Sequence, residues 1–253
     1  MRVLMATGPS ITIGDQPTFK LFGLTFDTYV IFATLVAAAI VLGLGFRMRA
    51  RVTAGRPSKL QLFFEYLVDQ VRDLTSSSMG DAGERFVPLG VMLFFFILVC
   101  NWIEFLPSTL QVGVSQELLP APTSDVNLPL AMALVVFVLC HALSVRTRGW
   151  GGYFRHYAKP YWPMTPINVI EEITKPITLT FRLFGNLFAG ALMITVVSVV
   201  GAQILGAVGG AVLTAAWTAI WKPFDTLLIG TIQALIFALL TIMYLGMATA
   251  KDH

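Results

Sequence analysis

Apolar positions along this chain fall into long blocks rather than alternating stripes. Thr28–Phe46, Phe86–Leu106 and Leu128–Val145 are three such blocks, each separated from the next by a polar or charged stretch. From Pro176 to Trp221 the only charged residue is Arg182, and from Thr226 to Ala250 there is none. At 1.5 Å of rise per residue, blocks of this length are the signature of helices that cross a bilayer core of roughly 30 Å. Gly206, Gly209 and Gly210 within Gly201–Gly210 read as the turn between two long helices, about 166–200 and 211–250. Forty helical residues extend about 60 Å, twice the bilayer core, so these two helices must tilt steeply, bend or emerge at one end.

Ser58–Leu74 carries a different pattern. Leu60, Phe63, Phe64, Leu67, Val71 and Leu74 recur at helical spacing, while Gln61, Glu65, Asp69, Arg72 and Asp73 take the other faces. Pro57-Ser58 followed by Gln61 resembles a capping-box start. This is an amphipathic helix suited to lying on a membrane surface.

Composition agrees with the pattern. The 253 residues are 56% hydrophobic and only 12% charged, with a mean hydropathy of +0.77. Soluble domains carry about 25% charged residues, so the chain is an integral membrane protein. Its 17 basic and 14 acidic residues leave a net charge of +3. That excess sits in two loops and does not indicate a nucleic-acid partner. Arg47, Arg49, Arg51, Arg56 and Lys59 follow the first block, and Arg146, Arg148, Arg155 and Lys159 follow the third. Between Arg85 and Arg146 there is no lysine or arginine. The positive-inside rule then places the N-terminus and the Pro-rich loop between blocks two and three outside, and the C-terminus Lys251-Asp252-His253 in the cytoplasm. The first block does not read as a typical cleaved signal peptide, because the sequence before it is long and barely basic and the basic cluster comes after it. Cys100 and Cys140 both lie in apolar runs without metal-ligand spacing and read as packing residues.

The polar residues inside the blocks carry the chemistry. A guanidinium stays charged at physiological pH, and one at mid-bilayer costs roughly 2.5–3.5 kcal/mol on insertion scales. Arg182 shares a helix face with Asn186 and Ala189, with Gly185 and Gly190 nearby, where small residues admit a neighbouring helix. Glu171 and Glu172 lie two to three turns earlier, about 15 Å away by helical rise, so no dedicated mate for Arg182 is obvious. A carboxylate from another subunit would supply one. Gln233 is the one strongly polar side chain in the middle of the last block, able to bond a facing helix. Asp225 lies eight residues before it on roughly the same face. With Thr226 it could form a polar entry path, or it could pair locally with Lys222. Glu104 and His141 are ionisable groups within the second and third blocks, and such groups are functional candidates by default. His141, near the end of its block, also suits an interfacial role. Glu171 and Glu172 could hydrate an exit path, or serve as first-turn acids on the helix dipole.

Thr174-Lys175-Pro176, Arg182-Leu183-Phe184-Gly185-Asn186 and Ala189-Gly190 together resemble the pattern SKPxxLxxRLFGNxxAG of the a subunits of F-type ATP synthases. Ile232-Gln233-Ala234 and Leu240-Thr241-Ile242-Met243-Tyr244-Leu245 in the last block, and Glu104-Phe105-Leu106-Pro107 with Asp125-Val126-Asn127, extend the likeness over nearly the whole chain. The resemblance implies an all-α integral membrane protein with five transmembrane helices and one surface helix, the last two helices long and strongly tilted. Along the chain this divides into an external segment 1–27, a first span 28–46, the surface helix 58–77, a hairpin 86–145 and a tilted pair 166–250. It also implies a non-catalytic stator subunit without cofactor, in a bacterial plasma membrane, whose partners are a ring of c subunits, the b-subunit peripheral stalk and the other synthase subunits.

In that family the arginine, here Arg182, meets the carboxylates of the c ring, and its glutamine partner is Gln233. Asn186 matches the helix-face asparagine. The resemblance leads to two half-channels. Glu104, Asp225 and Gln203 are expected on the entry side, and Asn168, Glu171 and Glu172 on the exit side. Two positions depart from the family: Ala191 stands where an acid often follows Ala-Gly, and Asp225-Thr226 where many members have a histidine. Asp225 is expected to replace those entry groups. A proton-coupled secondary transporter is the rival reading, and no HExxH, GxSxG, P-loop or dinucleotide motif suggests an enzyme.

Overall fold

The computed structural model describes residues 18–21, 24–53, 55, 57–105, 121–157 and 161–249. The first 17 residues, most of the Pro-rich loop and Lys251-Asp252-His253 lie outside the described residues. The described chain is helical apart from one short hairpin in the segment expected to be external. There β1 (Thr18–Leu21) pairs antiparallel with β2 (Leu24–Asp27), Thr18 opposite Asp27. Asp27 ends the hairpin and starts α1 (Thr28–Arg51), its carboxylate accepting the Tyr29 N–H at 3.0 Å.

Ser58 caps α2 (Lys59–Met79) as expected, its hydroxyl accepting the Gln61 N–H at 3.2 Å. The reciprocal half of the capping box is missing. Gln61 instead donates to Glu65 at 2.7 Å and to the Thr53 carbonyl at 3.1 Å, tying α2 to the end of α1. The apolar wedge of α2 is split. Phe64, Val68, Val71 and Thr75 turn towards the bundle, whereas Leu60, Leu62, Phe63, Tyr66 and Leu74 are exposed.

The core is built around α3 (Val87–Ile103) and α6 (Gly230–Thr249). Ile97, Leu98, Phe94 and Phe95 of α3 pack with Ala234, Phe237, Ala238 and Leu245 of α6. Phe64 of α2 stacks on Phe95 with centroids 4.4 Å apart. Gly90 permits the three-way approach, since a Cβ there would lie 2.7 Å from Ile242 Cδ1 and 3.1 Å from Val71 Cγ1. On the other side of α3, Ala37 of α1 rests against Cys100 and Ile103, so the cysteines' packing role fits their burial.

The third block becomes α4 (Asn127–Tyr157), which outruns its apolar stretch and is broken at Gly149, φ 70°. Beyond that point the chain folds back, and Tyr153 meets the His141 ring edge-on at 5.9 Å. Thr165–Pro223, α5, breaks in the same way at Gly206, φ 74°, ψ 175°. Gly201 and Gly210 face each other across this break: a Cβ on Gly201 would lie 3.4 Å from Gly210 Cα. The glycine-rich stretch is therefore the turn of a close helical hairpin, as its composition suggests. By length and composition four stretches can cross a membrane, Thr28–Arg51, Gly83–Ile103, Asn127–Arg155 and Trp162–Thr249, the last 88 residues long and containing the hairpin.

At φ 74° and ψ 175° the backbone lies in a region essentially confined to glycine, where a residue with a Cβ costs about 1–3 kcal/mol. Gly206→Ala should therefore destabilise the hairpin by about that amount, read as a lowered thermal midpoint in detergent. Gly43→Ala, in open space at ordinary helical geometry, should leave the midpoint unchanged or raise it.

Candidate functional site

Arg182 sits on the first arm of α5, beside a buried stripe of Leu179, Leu183 and Leu187 that holds this arm in the bundle. The arginine itself is exposed. Among the described residues it makes no ion pair and no hydrogen bond. Two polar clusters flank it along the helix.

The first cluster lies towards the Gly206 turn. Asp225 comes from the second arm of the hairpin, is only 4% exposed, and lies beside the Asn186 side chain. Gly190 makes room for it, because a Cβ there would fall within the Asp225 carboxylate. Lys222 acts on this carboxylate from a distance, without an ion pair within 4 Å among the described residues. Asp225 instead reaches across the hairpin into the space between Asn186 and Gly190.

Its backbone is also unusual. Phe224–Ile229 is a π-helical turn in which the Gly230 N–H reaches back to the Asp225 carbonyl, a local form that recurs at functional sites. Thr226, next to the acid, is 1% exposed and its hydroxyl has no hydrogen-bond partner among the described residues. A buried hydroxyl in that state is a natural seat for water. One turn on, Asn101 of α3 donates to the Gly230 carbonyl at 2.9 Å and accepts from Thr123 at 2.8 Å, locking the π-turn to the core. Glu104 closes α3 a turn beyond Asn101 and is half-buried.

The second cluster lies towards the C-terminal end of α6. Glu172 and Lys175 form an ion pair at 2.6 Å, and the Lys175 ammonium lies 5.5 Å from the centre of the Tyr244 ring. A small polar pocket of about 60 Å³ joins them to His141, Ser144, Arg148 and Tyr153. The His141 Nδ1 lies 2.8 Å from the Phe137 carbonyl. Arg148 donates to the Met247 carbonyl at 3.1 Å, clamping α4 onto α6. His141 and Glu172, far apart in sequence, are therefore neighbours. Asn168, one turn before Glu172, is half-buried, whereas Glu171 is exposed. Neither acid is in the first turn, because α5 begins at Thr165. Gln203 is exposed beside the Gly206 turn, away from both clusters along the helix.

The two contacts Lys175–Tyr244 and Gly190–Asp225 run antiparallel. Interpolating between them brings Arg182 level with Gln233 to within about one turn. The clusters are separated by about 22 Å of helical rise, with Arg182 near the midpoint. Lys175, Tyr244 and Asn101 were not among the expected site residues. Lys175 could have been found at i+3 from Glu172 and two turns before Arg182, and Asn101 as a rare amide within an apolar block. The π-turn has no comparable sequence mark.

A family model described as ATP synthase A chain matches residues 30–246. The chain belongs to this family of ATP synthase a subunits. It is 46% identical over 241 residues to the ATP synthase subunit a of Acidothermus cellulolyticus, covering 95% of this chain and 83% of the relative. It is 39% identical over 259 residues to that of Mycobacterium leprae, covering 100% and 99%. With that of Bacillus velezensis it shares 36% over 250 residues, covering 94% and 99%. Family membership makes the chain a multi-pass membrane subunit of ATP synthase, serving proton transport in the membrane sector in complex with other synthase subunits.

Proposed function

We propose that Arg182 is the fixed cation of a non-catalytic stator, met in turn by carboxylates on a rotating ring of c subunits. The observation that carries this reading is an exposed guanidinium with no anion of its own among the described residues. In this reading the chain crosses the membrane five times, the Gly206 hairpin counting as two crossings, and α5 and α6 lie tilted against the ring. The N-terminus and the Gly206 turn face outward and the C-terminus faces the cytoplasm. The b-subunit stalk holds the chain still.

Asp225, Asn186, Thr226 and Glu104, with Gln203 at the mouth, form the entry half-channel. Protons pass through them and neutralise a ring carboxylate, which then travels through lipid. An ionised carboxylate would meet a desolvation barrier of several kcal/mol on that route. At the other end Asn168, Glu171, Glu172 and His141 form the exit half-channel, where the carboxylate loses its proton. Arg182 favours the ionised form as the site passes and repels protons that would cross directly. Gln233 and Asn186 orient the passing carboxylate. The family's missing acid after Ala-Gly is made good by Asp225, whose carboxylate lies against Gly190, one residue from that position.

Cross-linking tests this assignment in the assembled complex. Cysteine at Ala189, on the Arg182 face, is expected to form an adduct with the c subunit, and cysteine at Leu35 on α1 is not. An Ala189→Cys protein that never reaches the ring would refute the reading.

A further inference from the structure

A groove of about 650 Å³ opens between α1, α2 and α3, remote from the two polar clusters. Its walls are apolar: Val41, Leu42 and Phe46 from α1, Phe64 and Val68 from α2, Val91, Met92 and Phe95 from α3. It exists because α1 touches the bundle so lightly. Only 11% of the apolar window of α1 is buried. Charge gathers at one end alone, where Arg49, Arg72 and Glu84 line the mouth.

We infer that this groove binds one acyl chain of an anionic phospholipid, with the headgroup phosphate held between Arg49 and Arg72. Length supports that occupant. Along α1 the lining runs from Val41 to Arg49, and along α3 from Val87 to Phe95, about 12 Å in each case by helical rise. That is most of one leaflet of a hydrocarbon core about 30 Å thick. A transmembrane helix from a partner would need a track through both leaflets. The charged end coincides with the last turn of α1, where Arg49 and Arg51 stand, so the mouth opens at the membrane–water boundary.

Charge supports it too. Arg72 contacts Asp69 at 3.4 Å and Glu84 at 3.8 Å. These are long, solvent-exposed contacts of the kind that contribute little, and a guanidinium retains further donors for a phosphate. Arg72 is shared with Asp69 and Glu84, whereas Arg49 has no ion pair among the described residues, and a phosphodiester supplies the one negative charge it lacks. Basic pockets between membrane helices bind anionic headgroups for this reason. The inference does not depend on the ring-facing role of Arg182.

The test is lipid retention by the purified full chain, read by native mass spectrometry. The chain is taken from nanodiscs of equimolar dioleoylphosphatidylglycerol and dioleoylphosphatidylcholine. Preferential retention of the phosphatidylglycerol, by fivefold or more, is the expected result. Arg49→Gln with Arg72→Gln should remove that preference. Met92→Trp, at a position already 58% exposed and so tolerant of bulk, should reduce retention of both lipids. Equal retention of the two lipids by the unaltered chain would overturn the proposal. So would a preference that survives both arginine substitutions. A cross-link from Met92→Cys to the stalk subunit in the assembled synthase would also overturn it, by placing protein in the groove.

Discussion

ATP-driven proton pumping is expected to fall to background when Arg182 is replaced by alanine, with the synthase still assembled. The charge contributes nothing visible to the fold of its own chain. It is exposed, and among the described residues no partner depends on it, while the leucine stripe beside it keeps α5 in place. Removing an unpaired cation from apolar surroundings relieves a cost instead of creating one, so folding and assembly should not suffer. On the proposed reading, what is lost is the cation that favours proton release from the passing carboxylate and bars direct leakage. Inverted vesicles give the readout: quenching of a pH-sensitive dye after ATP addition, beside subunit stoichiometry of the purified complex. Normal pumping by the variant would remove Arg182 from the mechanism. Lost assembly would recast it as a structural residue.

Asp225→Asn is expected to slow passive proton conduction through the membrane sector by at least about tenfold, a barrier increase of roughly 1.4 kcal/mol. Asparagine has nearly the same shape, so the Gly190 niche and the π-turn should survive. It cannot take up and release a proton in this range of pH. The measurement is the rate of potassium-diffusion-driven proton uptake into vesicles stripped of the catalytic sector. An unchanged rate would exclude Asp225 from the entry path. Because the substitution preserves packing, a slow variant with an unchanged thermal midpoint separates the chemical role from a structural one.

Much of the architecture could be read directly from the chain, because lipid as a solvent imposes one simple demand: long charge-free helical blocks. Arg182 was legible for the same reason, as an exception to that demand. The Gly206 turn was legible because glycine clusters where a chain must reverse tightly. The relation of Asp225 to Asn186 and Gly190 was not. It depends on how two arms of a hairpin register after a π-turn, and helical periodicity from residue 211 onward assumes an unbroken α-helix. The Glu172–Lys175–Tyr244–His141 cluster was hidden for a related reason. It joins three helices, and spacing within one helix cannot report which neighbour will face it. The split wedge of α2 shows a further limit: periodicity marks an apolar face but not which part meets protein and which meets lipid.

The π-helical turn at Phe224–Ile229 also acts as a phase shifter. Relative to a regular α-helix it inserts one extra residue, and each residue turns the helix by about 100°. The angular position of everything downstream, Gln233 and Tyr244 included, is therefore set by this turn. Shortening it by one residue would yield a smoother helix in which Gln233 points about 100° away from its present heading. The heading of an amide level with Arg182 is thus dialled in by a local irregularity one to two turns before it.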